Sequence, residues 1–181
     1  MNHKPSKLSE LCTEYLRIRV DLESTTAYHT RRAFDVLIEA VGDVDPMSFT
    51  RLHAEAFRCK LLGSYRPATT QSYIKTCRPL FRWFVRHWGG EDPFAGLPSV
   101  RVPRERPKVF DDQQVNLLLD SAEREVDYLR VLLAKTTGMR RGEILNLTWD
   151  DIDFERNIIY VQPKQETPET WKWQAKDKDY R

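Results

Sequence analysis

The sequence predicts a mainly α-helical protein with one small β-hairpin. Three observations lead there. Apolar residues recur at helical spacing in four successive stretches over residues 8–97. A Pro-rich basic segment, "PSVRVPRERPK", follows them. Two short runs near the end, "NIIYVQ" and "TWKWQAKDK", have strand composition and are joined by "PKQETPE".

The first predicted helix is "LSELCTEYLRIRV", with Leu8, Leu11, Cys12, Tyr15, Leu16 and Val20 as its apolar side and Ser9 as its cap. The second opens at Ser24 and Thr25, carries Tyr28, Ala33, Phe34, Leu37, Ile38 and Val41 as a stripe, and ends at Gly42. The third spans "DPMSFTRLHAEAFRCKLLG" and is stopped by Gly63. The fourth starts near Pro67 and runs through "ATTQSYIKTCRPLFRWFVRHW". Its inward residues are Tyr73, Ile74, Cys77, Leu80, Phe81 and Phe84. Pro79 predicts a kink or a break there, because a mid-helix proline removes a hydrogen bond and costs about 3 kcal/mol.

These stretches make one helical domain, residues 1–97, followed by an extended basic linker, residues 98–108. Residues 109–181 form the second unit. Asp111 or Asp112 caps "QQVNLLLDSAE", and Tyr128 to Thr136 gives another apolar helix. Gly138 breaks the chain, and "RRGEILNLTW" is a helix with Ile144, Leu145 and Leu147 inward.

Of the 181 residues, 40% are hydrophobic and 31% charged, enough to build cores and solvate them. No stretch approaches the roughly 20 apolar residues of a membrane span, and the first residues carry no apolar signal core. Cys12, Cys59 and Cys77 show no metal-ligand spacing and read as reduced thiols of a cytoplasmic protein. The net charge of +2 says little, but its distribution says more. From Ala56 to Gly90 there is no Asp or Glu, while Arg58, Lys60, Arg66, Lys75, Arg78, Arg82 and Arg86 are present. A one-signed segment in a nearly neutral chain fits a polyanion partner; it also fits a basic face that is merely solvated.

In "KTTGMRRGEILNLTWDDID", Arg140 and Arg141 follow a glycine break at the mouth of a helix. Such a terminus favours anions, and a guanidinium offers a planar fork to two phosphate oxygens. Glu143 is placed to hold one guanidinium; the plainer alternative is a surface Arg–Glu pair worth less than about 0.5 kcal/mol.

"TTGMRRGEILNLTWDDIDFERNIIYV" resembles the first catalytic motif of the tyrosine recombinases, or phage-type integrases. Thr137, Gly138, Met139, Arg140, Gly142, Glu143, Leu145, Leu147, Trp149, Asp151, Ile152 and Asp153 fit that motif. "PATTQSYIKTCRPLFRWFVRHW" resembles the last helix of the family's core-binding domain, and "FDDQQVNLLLDSA" the first helix of its catalytic domain. The resemblance therefore implies a four-helix, SAM-like core-binding domain and an incomplete α+β catalytic domain. It implies site-specific DNA recombination without metal or cofactor, in which a tyrosine forms a covalent 3′-phosphotyrosine. Arg140 is then a catalytic arginine, Glu143 its buttress, and Arg141 a phosphate contact or a solvated residue. "AKDKDYR" is similar to the family's lysine-bearing turn, making Lys176 the general acid, with Lys178 the alternative. On the helical domain the resemblance carries DNA contacts to Arg31, Arg32, Arg66, Thr69, Ser72, Lys75 and Arg78.

The family's His-x-x-Arg and nucleophilic tyrosine would follow the lysine. His29–Arg32 comes too early, and Tyr180 lies beside the lysine and reads as structural or exposed. The expectation is a fragment of a recombinase that binds duplex DNA but does not cut it alone. The implied setting is cytoplasmic and nucleoid-associated, with a homotetramer on paired sites for whole family members and no membrane or small-molecule partner. Competing readings are a non-catalytic DNA-binding or regulatory protein of recombinase ancestry, and a helical module whose basic face meets an acidic protein.

Overall fold

The computed structural model describes residues 4–168, 170 and 172–174. Among them are seven α-helices, one 3-10 turn and a two-stranded antiparallel sheet, so the mainly helical class with a small hairpin holds. The chain divides into two compact units, Met1–Glu105 and Arg106–Arg181.

The first unit is built from α1 (Leu8–Ile18), α2 (Ser24–Val41), α3 (Arg51–Ser64) and α4 (Pro67–Trp88). α1 buries Leu8, Leu11, Cys12 and Tyr15, one face of a 3.6-residue repeat. Val20 lies beyond its end and is 91% exposed, so it is not part of that face. Ser9 does not cap α1. Its backbone N–H and its hydroxyl both donate to the Asp43 carboxylate at 2.8 Å, so the cap comes from the α2–α3 loop. Asp43→Ala is expected to lower the stability of this unit by about 1 kcal/mol, the usual cost of a lost cap, read as a shift of the thermal midpoint.

α2 buries Thr30, Ala33, Phe34, Val36 and Leu37. Tyr28 departs from the predicted stripe and stands exposed in the first turns. Gly42 ends α2 with a positive φ, as predicted. Gly63 does not stop α3. The helix runs to Ser64 and stops where Pro67 forces Arg66 to be extended. Pro67 then occupies the first position of α4, where a missing N–H costs nothing. Pro79 sits inside α4 without breaking it. Both Pro79 and Lys75, whose carbonyl loses its donor, lie on the exposed face, where water can supply the bond.

Phe34, Phe57, Phe81, Leu8, Leu11 and Leu37 are at most 1% exposed and form the centre of the core. The chain leaving α4 returns across it. Phe94, Leu97 and Val100 are buried there, with the Phe94 ring 5.4 Å from that of Phe81. Val100 thus packs with the helical unit although the sequence suggests an extended linker from residue 98. Burial pushes the Cys12 thiol up to about 12, so that side chain behaves as a small apolar group.

The second unit contains α5 (Asp112–Asp120), α6 (Glu125–Thr137) and α7 (Arg141–Leu145). Of the two predicted caps, Asp111 is the one used: its carboxylate accepts the Gln114 N–H at 2.8 Å. The predicted helix "RRGEILNLTW" shortens to α7, and Leu145 is 38% exposed instead of inward. A five-residue helix has too few turns to bury a full stripe, and no residue of α5 or α6 is buried to receive it. A 3-10 turn, Trp149–Asp151, leads into β1 (Ile152–Asp153), which pairs with β2 (Ile158–Ile159). Strand β2 covers only two residues of "NIIYVQ". Among the described residues, the second predicted strand is represented by one antiparallel bridge, Lys164 to Trp173.

Candidate functional site

Gly138 takes the left-handed conformation, φ 64°, which turns the chain out of α6 and directly into Arg140. Arg140 is the N-cap residue of α7. Its backbone N–H donates to Glu143 Oε2 at 2.7 Å, and its Nη1 donates to Glu143 Oε1 at 3.2 Å. Glu143 is 4% exposed, whereas the Arg140 side chain is 46% exposed. A buried carboxylate therefore grips a guanidinium that still reaches solvent. This i, i+3 arrangement is the one anticipated for Glu143. One expectation needs correction: the Arg140 N–H is spent on Glu143 and α7 is short, so attraction for an anion comes from the guanidinium, not from a helix terminus. Arg141 is exposed.

A second buried carboxylate lies eight residues beyond Glu143 in the same motif. Asp151 is 1% exposed and accepts from Thr148 N at 2.8 Å, Thr148 Oγ1 at 2.9 Å and Gln162 Nε2 at 2.8 Å. Lys164 Nζ lies 2.5 Å from both its oxygens and 3.0 Å from Thr148 Oγ1. Burial pushes the Asp151 carboxyl up, but the bonds from Lys164, Thr148 and Gln162 outweigh it and hold the group below the ordinary carboxylate range. Lys164 was not anticipated from the sequence, which places it in the joint between strands. The Thr148-x-x-Asp151 capping pattern is legible, but the lysine that completes the cluster is thirteen residues away.

The Lys164–Trp173 bridge folds the hairpin back onto α7. A Cβ added to Gly142 would stand 3.5 Å from Trp173 Nε1, so the indole covers the first turn after Arg140. Lys176, with Lys178 and Tyr180, lies outside the described residues.

On the helical unit, α2 and α4 pack together, with Cys77 Sγ 3.8 Å from the Ala33 carbonyl. Arg31 and Arg32 are exposed on α2, and Arg32 lies 3.6 Å from Glu39. Ser72 and Lys75 are exposed on α4 opposite its buried face, Arg66 is its exposed N-cap, and Thr69 is half-buried. Arg78 differs from these. It is half-buried and its Nη2 donates to the Leu97 carbonyl at 3.3 Å, tying down the returning segment.

The sequence model of the phage integrase family matches residues 108–176. Tyrosine recombinase XerD of Pasteurella multocida is 27% identical over 173 residues, covering 89% of this chain and 57% of that protein. Tyrosine recombinase XerA of Thermococcus kodakarensis is 29% identical over 165 residues, covering 88% and 54%. Over most of its length the chain is similar to the tyrosine recombinases. Its fold agrees: a lambda integrase tetramer bound to a Holliday junction superposes with a TM-score of 0.77, at 16% identity, over 88% of this chain and 48% of that one. The chain spans about half the length of the curated relatives it matches. No described helix is long and apolar enough to cross a membrane.

Proposed function

We propose that this chain recognises duplex DNA for site-specific recombination and presents Arg140 to a scissile phosphate. The observation that carries this reading is the grip of buried Glu143 on Arg140 within the motif of the first catalytic arginine. Attack on a phosphodiester passes through five-coordinate phosphorus with added negative charge. A guanidinium held in place beforehand stabilises that state more than the ground state. Glu143 fixes one edge of Arg140 and leaves it charged. Arg31, Arg32, Arg66, Thr69, Ser72 and Lys75 carry the duplex contacts. Arg78 serves first to anchor Leu97.

The leaving 5′-oxygen needs a proton. Lys176 is the lysine the family resemblance suggested; Lys164 is the one whose ammonium is tied to the Arg140 motif, and we favour it. A covalent phosphotyrosine also requires the family's His-x-x-Arg and tyrosine, which these 181 residues do not offer in the family's order. The chain by itself therefore binds DNA without cutting it. Strand exchange belongs to whole recombinases acting as tetramers on paired sites, and the DNA partner places the chain with the nucleoid of a cytoplasmic compartment. Relatives of this fold have been seen on DNA, including the lambda integrase tetramer.

The test is a gel shift with duplex DNA, run alongside a denaturing gel for covalent adducts. Lys75→Glu combined with Arg32→Glu is expected to weaken binding by about tenfold or more, and no adduct is expected. Arg140→Ala is expected to weaken binding by a few-fold, the loss of about one phosphate contact. Arg78→Glu is a poor probe, because it also releases Leu97. Binding unchanged by all of these variants would favour the module that meets an acidic protein.

A further inference from the structure

Gly142 stands between the two ends of the Arg140–Glu143 grip, in the first turn of α7. One side chain takes the space beside it. The three heavy atoms nearest to a Cβ built at Gly142 all belong to Trp173: Nε1 at 3.5 Å, Cζ2 at 3.9 Å and Cε2 at 4.0 Å. The backbone delivers the indole there. Lys164 N–H donates to the Trp173 carbonyl at 2.9 Å, and Trp173 N–H donates to the Lys164 carbonyl at 3.0 Å. Residues that exchange both bonds across an antiparallel pair project their side chains to the same face. That face meets the arginine motif at two points: Lys164 reaches Asp151 and Thr148, and Trp173 reaches Gly142. Glu143 is buried in α7, although α5 and α6 bury no residue of their own. The half-buried indole on the adjacent residue gives that turn an apolar cover.

We infer that Trp173 is a positioning residue for Arg140. It acts through the turn, not on the phosphate. Packed on Gly142, the indole keeps residues 140–143 in the conformation in which the Arg140 N–H and Nη1 both meet the Glu143 carboxylate. It also limits the water that competes for those bonds. A guanidinium held by a carboxylate is only as fixed as that carboxylate, so the packing behind the pair sets its precision. Glycine at 142 admits the indole: a methyl group would meet it at ordinary contact distance, whereas a leucine side chain would need its place. The effect on DNA rests on the reading of Arg140 as a phosphate contact; the effect on the grip does not.

The experiment follows backbone amide exchange in the whole, isotope-labelled chain by NMR. The Arg140 N–H reports the grip directly, because Glu143 Oε2 is its acceptor. The Tyr160 N–H, bonded to the Asp151 carbonyl at 2.8 Å, is the reference within the same unit. Trp173→Ala is expected to speed exchange at Arg140 by about tenfold or more and at Tyr160 by less than about twofold. Trp173→Phe should keep most of the protection, and Gly142→Ala all of it. Gly142→Leu should reproduce Trp173→Ala, and it carries the test should Trp173→Ala unfold the unit, since it leaves the indole in the chain. Unchanged exchange at Arg140, or equal acceleration at Arg140 and Tyr160, would overturn the inference. Duplex binding supplies a cycle: Trp173→Ala should weaken it a few-fold alone and not further in an Arg140→Ala background. Additive losses would mean that Trp173 does not act through Arg140 and would also overturn it. If Arg140→Ala by itself leaves binding intact, the phosphate reading fails, and the exchange rates still decide the role of Trp173.

Discussion

Between about 50 and about 200 mM salt, binding of this chain to duplex DNA is expected to weaken roughly 500-fold. The size follows from the number of cations free to meet phosphates. Arg31, Arg32, Arg66 and Lys75 are exposed on α2 and at the start and outer face of α4. Each neutralised phosphate contributes about −0.9 to the slope of log affinity against log salt, so these four give roughly −3.6 and the contact proposed for Arg140 brings it to about −4.5. Arg78 is left out because its guanidinium is half-buried and engaged with the Leu97 carbonyl. Arg32 is included, since its 3.6 Å contact with Glu39 is between exposed groups and costs little to exchange. Lys75→Ala should flatten the slope by about 0.9 without altering which sequence is preferred. Anisotropy titrations at four or more salt concentrations give the slope. A value near zero would remove phosphate contact from the account of the basic segment, and a slope unmoved by Lys75→Ala would remove α4.

Asp151→Ala is expected to unfold the second unit, or to cost it about 3–5 kcal/mol where it survives, because the substitution leaves the Lys164 ammonium buried without its counter-charge. The Lys164 side chain is 12% exposed and Asp151 1%, so water replaces the lost partner poorly. The loss is large relative to what else holds this unit, since α5 and α6 contribute no buried residue. Lys164→Met should cost distinctly less. Asp151 would keep its bonds from Thr148 N, Thr148 Oγ1 and Gln162 Nε2. Urea unfolding followed by tryptophan fluorescence measures both, the transition that the substitutions move being that of the second unit. Equal costs for the two variants would mean that the pair is held by its charge alone, not by the hydrogen bonds around Asp151.

The same pair sets an acid limit. The folded carboxyl of Asp151 titrates below its unfolded value near 3.9, so its contribution is complete above that pH. It is lost as pH falls through the lower, folded value. Asp43, also held below the ordinary range by its bonds from Ser9 despite the opposing push of burial, behaves alike in the first unit. Both units are therefore expected to lose stability below about pH 4, and Asp151→Asn should remove part of that dependence from the second.

The helices of the first unit were legible because their information is local. Leu8, Leu11, Cys12 and Tyr15 share a face through the 3.6-residue repeat alone, and Gly42 ends α2 by its own freedom at positive φ. The Arg140–Glu143 grip was legible for the same reason: residues three apart around a helix start meet whatever surrounds them. Capping of α1 by Asp43, anchorage of Leu97 by Arg78, and the Asp151–Lys164 pair were not. These partners are 34, 19 and 13 residues apart, and only the folded path of the chain selects them from many candidates of the same type. Exposure of Tyr28 and Leu145 is likewise a tertiary outcome, since periodicity names an apolar face but not whether a neighbour arrives to cover it. The sequence by itself determined which segments are helical and where the first arginine is gripped; the tertiary structure decided which charges are buried together and which apolar faces stay open, because those depend on contacts between segments that no local repeat encodes.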